Sequence, residues 1–306
     1  MSLRRSAPVL VALLAAATLV ACGADGAPDS ASGITVAVTT TQLGDLARAV
    51  AGGRAGVAQI LDPGSDPHAY EPRPSDLRAV SGAKVVVRSG GDLDAWLGDV
   101  LRNAGSDART ITVLDAVEQR ADDPHWWQDP RNAATAVGLI RDALSAADPG
   151  GRAAYAVNAS RYLGELRALD RAIAACMRAI PARDRKLVTD HDALGYYAGR
   201  YDIDVIGTVI PALSTQAQAS GGEVARLVRT IRATGVSEIF PESSANAKLA
   251  RAIARDAGAS VGPALYADSL GAKNSAGATY LGALRANTRA LVHGFSAGRA
   301  RCALPG

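Results

Sequence analysis

Between Pro149 and Pro181 the chain runs without an internal proline, and its larger apolar residues fall at Tyr155, Tyr162, Leu166, Leu169, Ile173 and Met177. Steps of seven, four and three residues place those side chains on one stripe of a helix. Asp148 before Pro149 opens the element and Pro181 closes it. A helix of that length crosses a whole small domain, which makes it a stiff rod between two halves of the molecule. On either side, short β-branched runs alternate with alanine-rich helical stretches. Ile34 to Val38, Val57 to Leu61, Lys84 to Val87 and Thr110 to Leu114 read as strands before the rod; Lys186 to Thr189, Asp204 to Ile210, Val236 to Phe240 and Ser260 to Ala264 read as strands after it. The expectation is an α/β fold with two lobes of parallel-rich sheet, residues 34–147 and 181–306, joined by one long rigid helix over 148–180. A length of 306 residues, more than one core usually serves, agrees with two lobes.

The N-terminus carries a different message. Arg4 and Arg5 precede an apolar run from Ala7 to Val20 that stops at Ala21-Cys22-Gly23. That is the pattern of a signal peptide over residues 1–21, too short to span a bilayer comfortably. Leu19-Val20-Ala21-Cys22 resembles the lipobox of bacterial lipoproteins, which implies cleavage before Cys22 and a diacylglyceryl group on its sulfur. Residues 22–33 then form a polar tether. The protein is expected outside the cytoplasm, held to the cell membrane by two acyl chains. With Cys22 lipidated, Cys176 and Cys302 remain, and an oxidising compartment lets them pair; two buried thiols are the alternative. The net charge of +3 comes from arginines spread among acids along helical stretches, without aromatic-interleaved basic motifs or a glycine-rich phosphate loop. Nucleic acid and nucleotides are therefore not expected partners.

Only four histidines occur in the chain, and three sit in elaborate settings. His68 lies in Asp66-Pro67-His68-Ala69-Tyr70-Glu71-Pro72, His125 in Asp123-Pro124-His125-Trp126-Trp127-Gln128-Asp129-Pro130, and His191 in Thr189-Asp190-His191-Asp192. Each follows the C-terminal end of an expected parallel strand, the edge where open α/β sheets bind ligands. Asp-Pro before His68 and His125 stiffens the loop that presents the imidazole. Asp66, Asp123 or Asp190 beside each ring can accept its far N–H and set the tautomer. His293, before Gly294 at the expected end of a helix from Tyr280 to Val292, reads as a capping residue instead. A fourth ligand comes from Glu242 or Asp268, and the local sequence leaves that choice open. Trp126 and Trp127 either wall the cleft or fill the core beside it.

Asp66-Pro67-His68, Tyr70-Glu71-Pro72, Pro74-Ser75-Asp76, His125-Trp126, Asp129-Pro130, His191, Gly195-Tyr196, Phe240, Glu242 and Asp268-Ser269-Leu270-Gly271 resemble, in order, the zinc/manganese solute-binding lipoproteins of bacterial ABC importers. The resemblance covers nearly the whole mature chain. It implies His68, His125, His191 and Asp268 as metal ligands in a cleft between the lobes, Glu242 as a neighbour, and an importer permease as partner. The segment Glu118 to Asp123 is short and lacks the histidine-rich loop of many zinc-specific members, while His191 stands where manganese-preferring members tend to have a carboxylate.

Three imidazoles and one carboxylate form a borderline-soft set that suits Zn2+; Mn2+, which favours more oxygen, is the alternative. The protein is expected to be a monomeric carrier and not an enzyme, because a fourth ligand leaves no position for an activated water. A zinc hydrolase with Glu242 as base and a metal-stabilised adhesin are the competing readings.

Overall fold

The computed structural model describes Met1 and residues 33–306. The expected signal peptide, Cys22 and almost all of the tether lie outside the described residues. Among the described residues, no helix is long and apolar enough to cross a membrane.

Four strands, β1 (Thr35–Val38), β2 (Gly56–Gln59), β3 (Val85–Arg88) and β4 (Arg109–Thr112), form a parallel sheet in the order β2-β1-β3-β4. Val36, Val38, Val85 and Val87 alternate with Ala37 and Val86, and all are buried, because helices cover both faces. The helices are α1 (Thr41–Ala51), α2 (Pro74–Ser81), α3 (Leu97–Asn103) and α4 (Pro130–Ala147). Asp129 caps α4, its side-chain Oδ1 accepting from Arg131 N at 2.8 Å, and Pro130 supplies the fixed φ of a first helical residue.

The rod is present as α5 (Arg152–Arg178), entered through a 3₁₀ turn at Pro149–Gly151. Its 27 residues extend for about 40 Å at about 1.5 Å per residue. Tyr155, Tyr162, Leu166, Leu169, Ile173 and Met177 are all buried. They share one core with Leu46 and Ile140 of the first lobe and with Leu187, Tyr197, Leu265 and Leu284 of the second. Asp148 is held by a forked bond from Arg54, at 2.7 and 3.3 Å, and by the Tyr155 hydroxyl at 2.8 Å, which fixes how the chain enters the helix. At the other end a disulfide joins Cys176 to Cys302, with Cα atoms 5.5 Å apart.

The second lobe contains β5 (Lys186–Thr189), α6 (Gly195–Tyr201), β6 (Asp204–Thr208), α7 (Gly221–Thr234), β7 (Glu238–Ile239), α8 (Lys248–Ala257), β8 (Ser260–Val261) and α9 (Tyr280–Phe295). Its pairing is parallel throughout, β5 with β6 and β7 with β8, and a bridge between Thr189 and Phe240 joins the two pairs. The last two strands are shorter than their β-branched runs suggest. Pro241 and Pro263 have no N–H to give a ladder, and each stands just past the pairing. Helix α9 also departs from expectation: it continues through His293 and Gly294 to Phe295, and the reversal falls at Ala297 and Gly298, both at positive φ. A Cβ at Gly294 would collide with Glu238 and Phe240, so this glycine serves close packing rather than a cap.

Leu169 is fully buried against both lobes. Leu169→Ala is expected to lower the unfolding free energy by about 2–5 kcal/mol in urea titration. A loss below about 1 kcal/mol would contradict a rod packed into one shared core.

Candidate metal centre

Every candidate ligand lies on a segment that follows the C-terminal end of a strand. After β2 the chain reaches a 3₁₀ turn at Pro67–Ala69, capped by Asp66, whose Oδ1 accepts from His68 N at 2.9 Å. Beyond β4 a loop leads to His125, which precedes the turn Trp126–Gln128 and α4. His191 follows β5 within two residues of its end, and Asp268 follows the bridge at Leu265. The two lobes thereby contribute two groups each.

The four side chains meet. His125 Nε2 lies 3.3 Å from both His68 Nε2 and His191 Nε2. Asp268 Oδ2 is 3.4 Å from His68 Nε2 and from His191 Nε2, and Oδ1 is 3.4 Å from His125 Nε2. One ligand atom from each lies within 4.8 Å of all the others. His125, His191 and Asp268 are buried, and His68 alone keeps a trace of exposure, 6% of its side chain. Among the described residues, neither oxygen of Asp268 has a hydrogen-bond partner. A buried carboxylate without partners costs several kcal/mol unless a cation answers it, so the donor set fits a metal ion.

The outer nitrogens are held differently from ring to ring. Asp123 Oδ1 lies 2.7 Å from His125 Nδ1 and accepts from the same residue's backbone N. Glu242 Oε1 takes the corresponding place for His191, 2.5 Å from Nδ1. Nδ1–H donated outward leaves each Nε2 lone pair facing inward. Asp190, although adjacent to His191, instead accepts from Glu242 N at 2.8 Å and so steadies the residue that steadies the ring. Asp66 caps its turn and does not reach a ring nitrogen of His68. Glu242 and Asp268 therefore take separate places, the first behind an imidazole and the second among the four converging groups. His293 is on α9, exposed and apart from the cluster.

Trp127, together with Gln42, Gln128 and Thr41, which local patterns did not single out, completes the site. Gln42 Nε2 donates to Asp268 O at 3.0 Å, Trp127 Nε1 and Gln128 Nε2 donate to Ala267 O at 2.8 and 2.7 Å, and Thr41 Oγ1 accepts from Leu270 N at 2.9 Å. First-lobe side chains thus grip the backbone around Asp268. Trp127 also stands edge-on to His125, ring centroids 5.4 Å apart, whereas Trp126 is buried with its indole N–H on Ser89 Oγ. Gly195 lets the Asp123 loop approach α6: a Cβ there would sit 2.7 Å from Asp123 Oδ2. The polar run Thr39-Thr40-Thr41-Gln42 immediately after β1 was the available signal for the grip on Asp268.

Electrostatics follow from burial and the crowd of carboxylates. Burial by itself depresses the His191 imidazole, but its bond to Glu242 and the charge of Asp268 outweigh this and push it up to about 9. Burial raises Glu242 to about 7. Burial also opposes ionisation of Asp268, yet the neighbouring His68, with His125 and His191, holds its carboxyl below the usual carboxylate value.

Comparison with known proteins places this geometry in context. A family model described as ZnuA, zinc-uptake complex component A periplasmic, matches residues 36–294. The manganese-binding lipoprotein MntA of Halalkalibacterium halodurans is 31% identical over 295 residues, covering 94% of this chain and 96% of its own. The metal ABC transporter substrate-binding lipoprotein SloC of Streptococcus mutans is 27% identical over 278 residues, covering 86% and 90%. Among solved structures, the periplasmic zinc binding protein TroA from Treponema pallidum shares the fold, with a TM-score of 0.79 at 24% identity, covering 86% of this chain and 99% of that one.

With His191 raised to about 9, its imidazole is protonated in the empty site at neutral pH. Coordination requires the lone pair, so a bound cation must expel that proton. Affinity should then rise with pH up to about 9 and level off above it, with about one proton released per ion near pH 7.5. Calorimetry in buffers of different ionisation enthalpy measures the release; none would contradict ligation through His191.

Proposed function

Given that this chain belongs to the ZnuA family of metal-binding, solute-binding proteins of ABC importers, we propose that its cargo is zinc, taken up outside the cytoplasm and surrendered to an importer permease. Proteins of this family bind and deliver, and the chain is a carrier and not an enzyme. His68, His125, His191 and Asp268 are the ligands in this reading. Cys22 carries the lipid anchor, residues 34–147 and 181–306 are the lobes on either side of the 148–180 linker, and the carrier works as a monomer.

One observation carries the choice of cargo. With Asp268 Oδ2 as the fourth corner, four of the six separations among the donors are 3.3–3.4 Å. A regular tetrahedron with edges of that length has its centre about 2.0–2.1 Å from each corner, the edge divided by about 1.63, which matches zinc bonded to imidazole and carboxylate. Three nitrogens to one carboxylate favour zinc over manganese on softness too. With Asp268 turned inward the donor set is filled by protein groups, which suits capture and release rather than activation of a water.

Manganese is the second reading, and a specific observation favours it: MntA relatives from two bacilli, each 31% identical over more than nine-tenths of this chain, are named for manganese. Binding strength alone does not decide, because zinc outbinds manganese at most nitrogen-bearing sites. Elemental analysis of the protein isolated from its native envelope does. Zinc at about one ion per chain supports the proposal, whereas manganese in its place replaces it with the second reading.

His191→Ala removes a nitrogen donor and leaves buried Glu242 with only the backbone N of residue 191 to accept from, whereas His293→Ala touches nothing in the cluster. Competition with a chromophoric chelator should show zinc affinity falling at least about a hundredfold for the first and unchanged for the second. Equal effects would contradict the ligand assignment.

A further inference from the structure

The way out of the metal centre passes His68, since it alone of the four groups has measurable exposure. Two contacts bind the His68 turn to the second lobe. On one side Gly64 N donates to Leu270 O at 3.0 Å and to Ser269 Oγ at 2.8 Å. That contact is rigid, because Leu270 is itself held by Thr41. On the other side Thr215 Oγ1 donates to Asp66 Oδ2 at 2.7 Å. Asp66 thus divides its carboxylate, one oxygen on the backbone of His68 and the other on Thr215.

Thr215 belongs to a loop that runs from the edge of His191 to the turn of His68. Its base is fixed, with Ala212 O accepting from Asp192 N at 3.0 Å and Ser220 capping α7. Between those anchors the remaining hydrogen bonds are internal, Gln216 N to Ser214 Oγ at 3.2 Å and Ala217 N to Ser214 O at 3.3 Å. Apart from its ends, and among the described residues, the loop 213–219 is hydrogen-bonded to the rest of the protein through Thr215 alone.

We propose that the loop of residues 213–219 is a gate over the His68 side of the metal centre, latched by the hydroxyl of Thr215 on the carboxylate of Asp66, and that Thr215 is a positioning residue governing how fast the ion enters and leaves. The inference rests on the carrier reading above but does not depend on which divalent metal is the cargo. The latch uses no metal ligand, so opening it exposes His68 without dismantling the site. A gate that must open for passage in either direction alters both rates and leaves their ratio nearly unchanged.

The test is stopped-flow measurement of zinc uptake, and of zinc release to an excess chromophoric chelator, with the purified full chain. Thr215→Val keeps the branched shape and removes the donor; Thr215→Ser keeps the donor. Loss of a hydrogen bond to a charged acceptor should quicken both release and uptake about tenfold in Thr215→Val, with the equilibrium constant changed less than about threefold. Thr215→Ser should behave as the unmodified protein. Unchanged release in Thr215→Val, or faster release with uptake unchanged, overturns the gate, the latter because it makes the bond an affinity contact only. Failure of the unmodified protein to take up zinc or manganese overturns the carrier reading itself and is seen before any variant is compared.

Discussion

Three imidazole nitrogens and a carboxylate face one another across little more than 3 Å, buried and without hydrogen bonds to Asp268. Nothing in a protein interior holds such a group together on its own account, since bare acceptors repel and a buried carboxylate wants a counter-charge. Without a cation, Glu242 and Asp268 favour a proton on His191, and the facing imidazoles hold the Asp268 carboxyl below its usual value. A divalent cation supplies the counter-charge better. The remaining architecture can be understood as the means of keeping these four groups in place when the charge between them changes.

The fold meets that demand by drawing ligands from both lobes and tying the lobes together around Asp268. The first lobe presents His68 and His125 on capped turns after β2 and β4, and the second presents His191 and Asp268 after β5 and the bridge at Leu265. Yet the backbone around Asp268 is gripped by Gln42, Trp127 and Gln128 of the first lobe. Helix α5, with its stripe of buried residues touching both halves and a disulfide at its end, resists large rotation between them. With the lobes this closely tied, local movement of a loop is the economical way to admit an ion, and the single outward bond of Thr215 identifies the loop.

Much of this was legible in the chain because scarcity makes histidine informative: three of four fall at strand ends, and all three converge. The stripe from Tyr155 to Met177 marked the rod for a similar reason, a long period without a breaker. What local sequence could not show was which carboxylate faces which ring. Asp190 adjoins His191, yet the turn after β5 points it at Glu242 N, while Glu242, fifty-one residues on, reaches the imidazole because the Thr189–Phe240 bridge brings those strand ends together. Thr215 was invisible for the same reason, being an ordinary polar residue whose partner lies 149 positions away, and the polar run that includes Gln42 gave no hint of a partner 226 positions on. Gly294 misled in the opposite sense, since a glycine near a helix end suggests a cap, and only the packing of Glu238 and Phe240 against it shows another purpose.

In the proposed carrier, His68, His125, His191 and Asp268 surround one ion. X-ray absorption at the zinc edge, on the zinc-loaded protein in solution, tests this arrangement without reference to transport or to any variant. The account predicts a first shell of nitrogen and oxygen only, four or, with both Asp268 oxygens engaged, five atoms at about 2.0–2.2 Å, with outer-shell scattering from about three imidazoles. A six-oxygen shell, a sulfur neighbour, or imidazole scattering from one ring or none would contradict it.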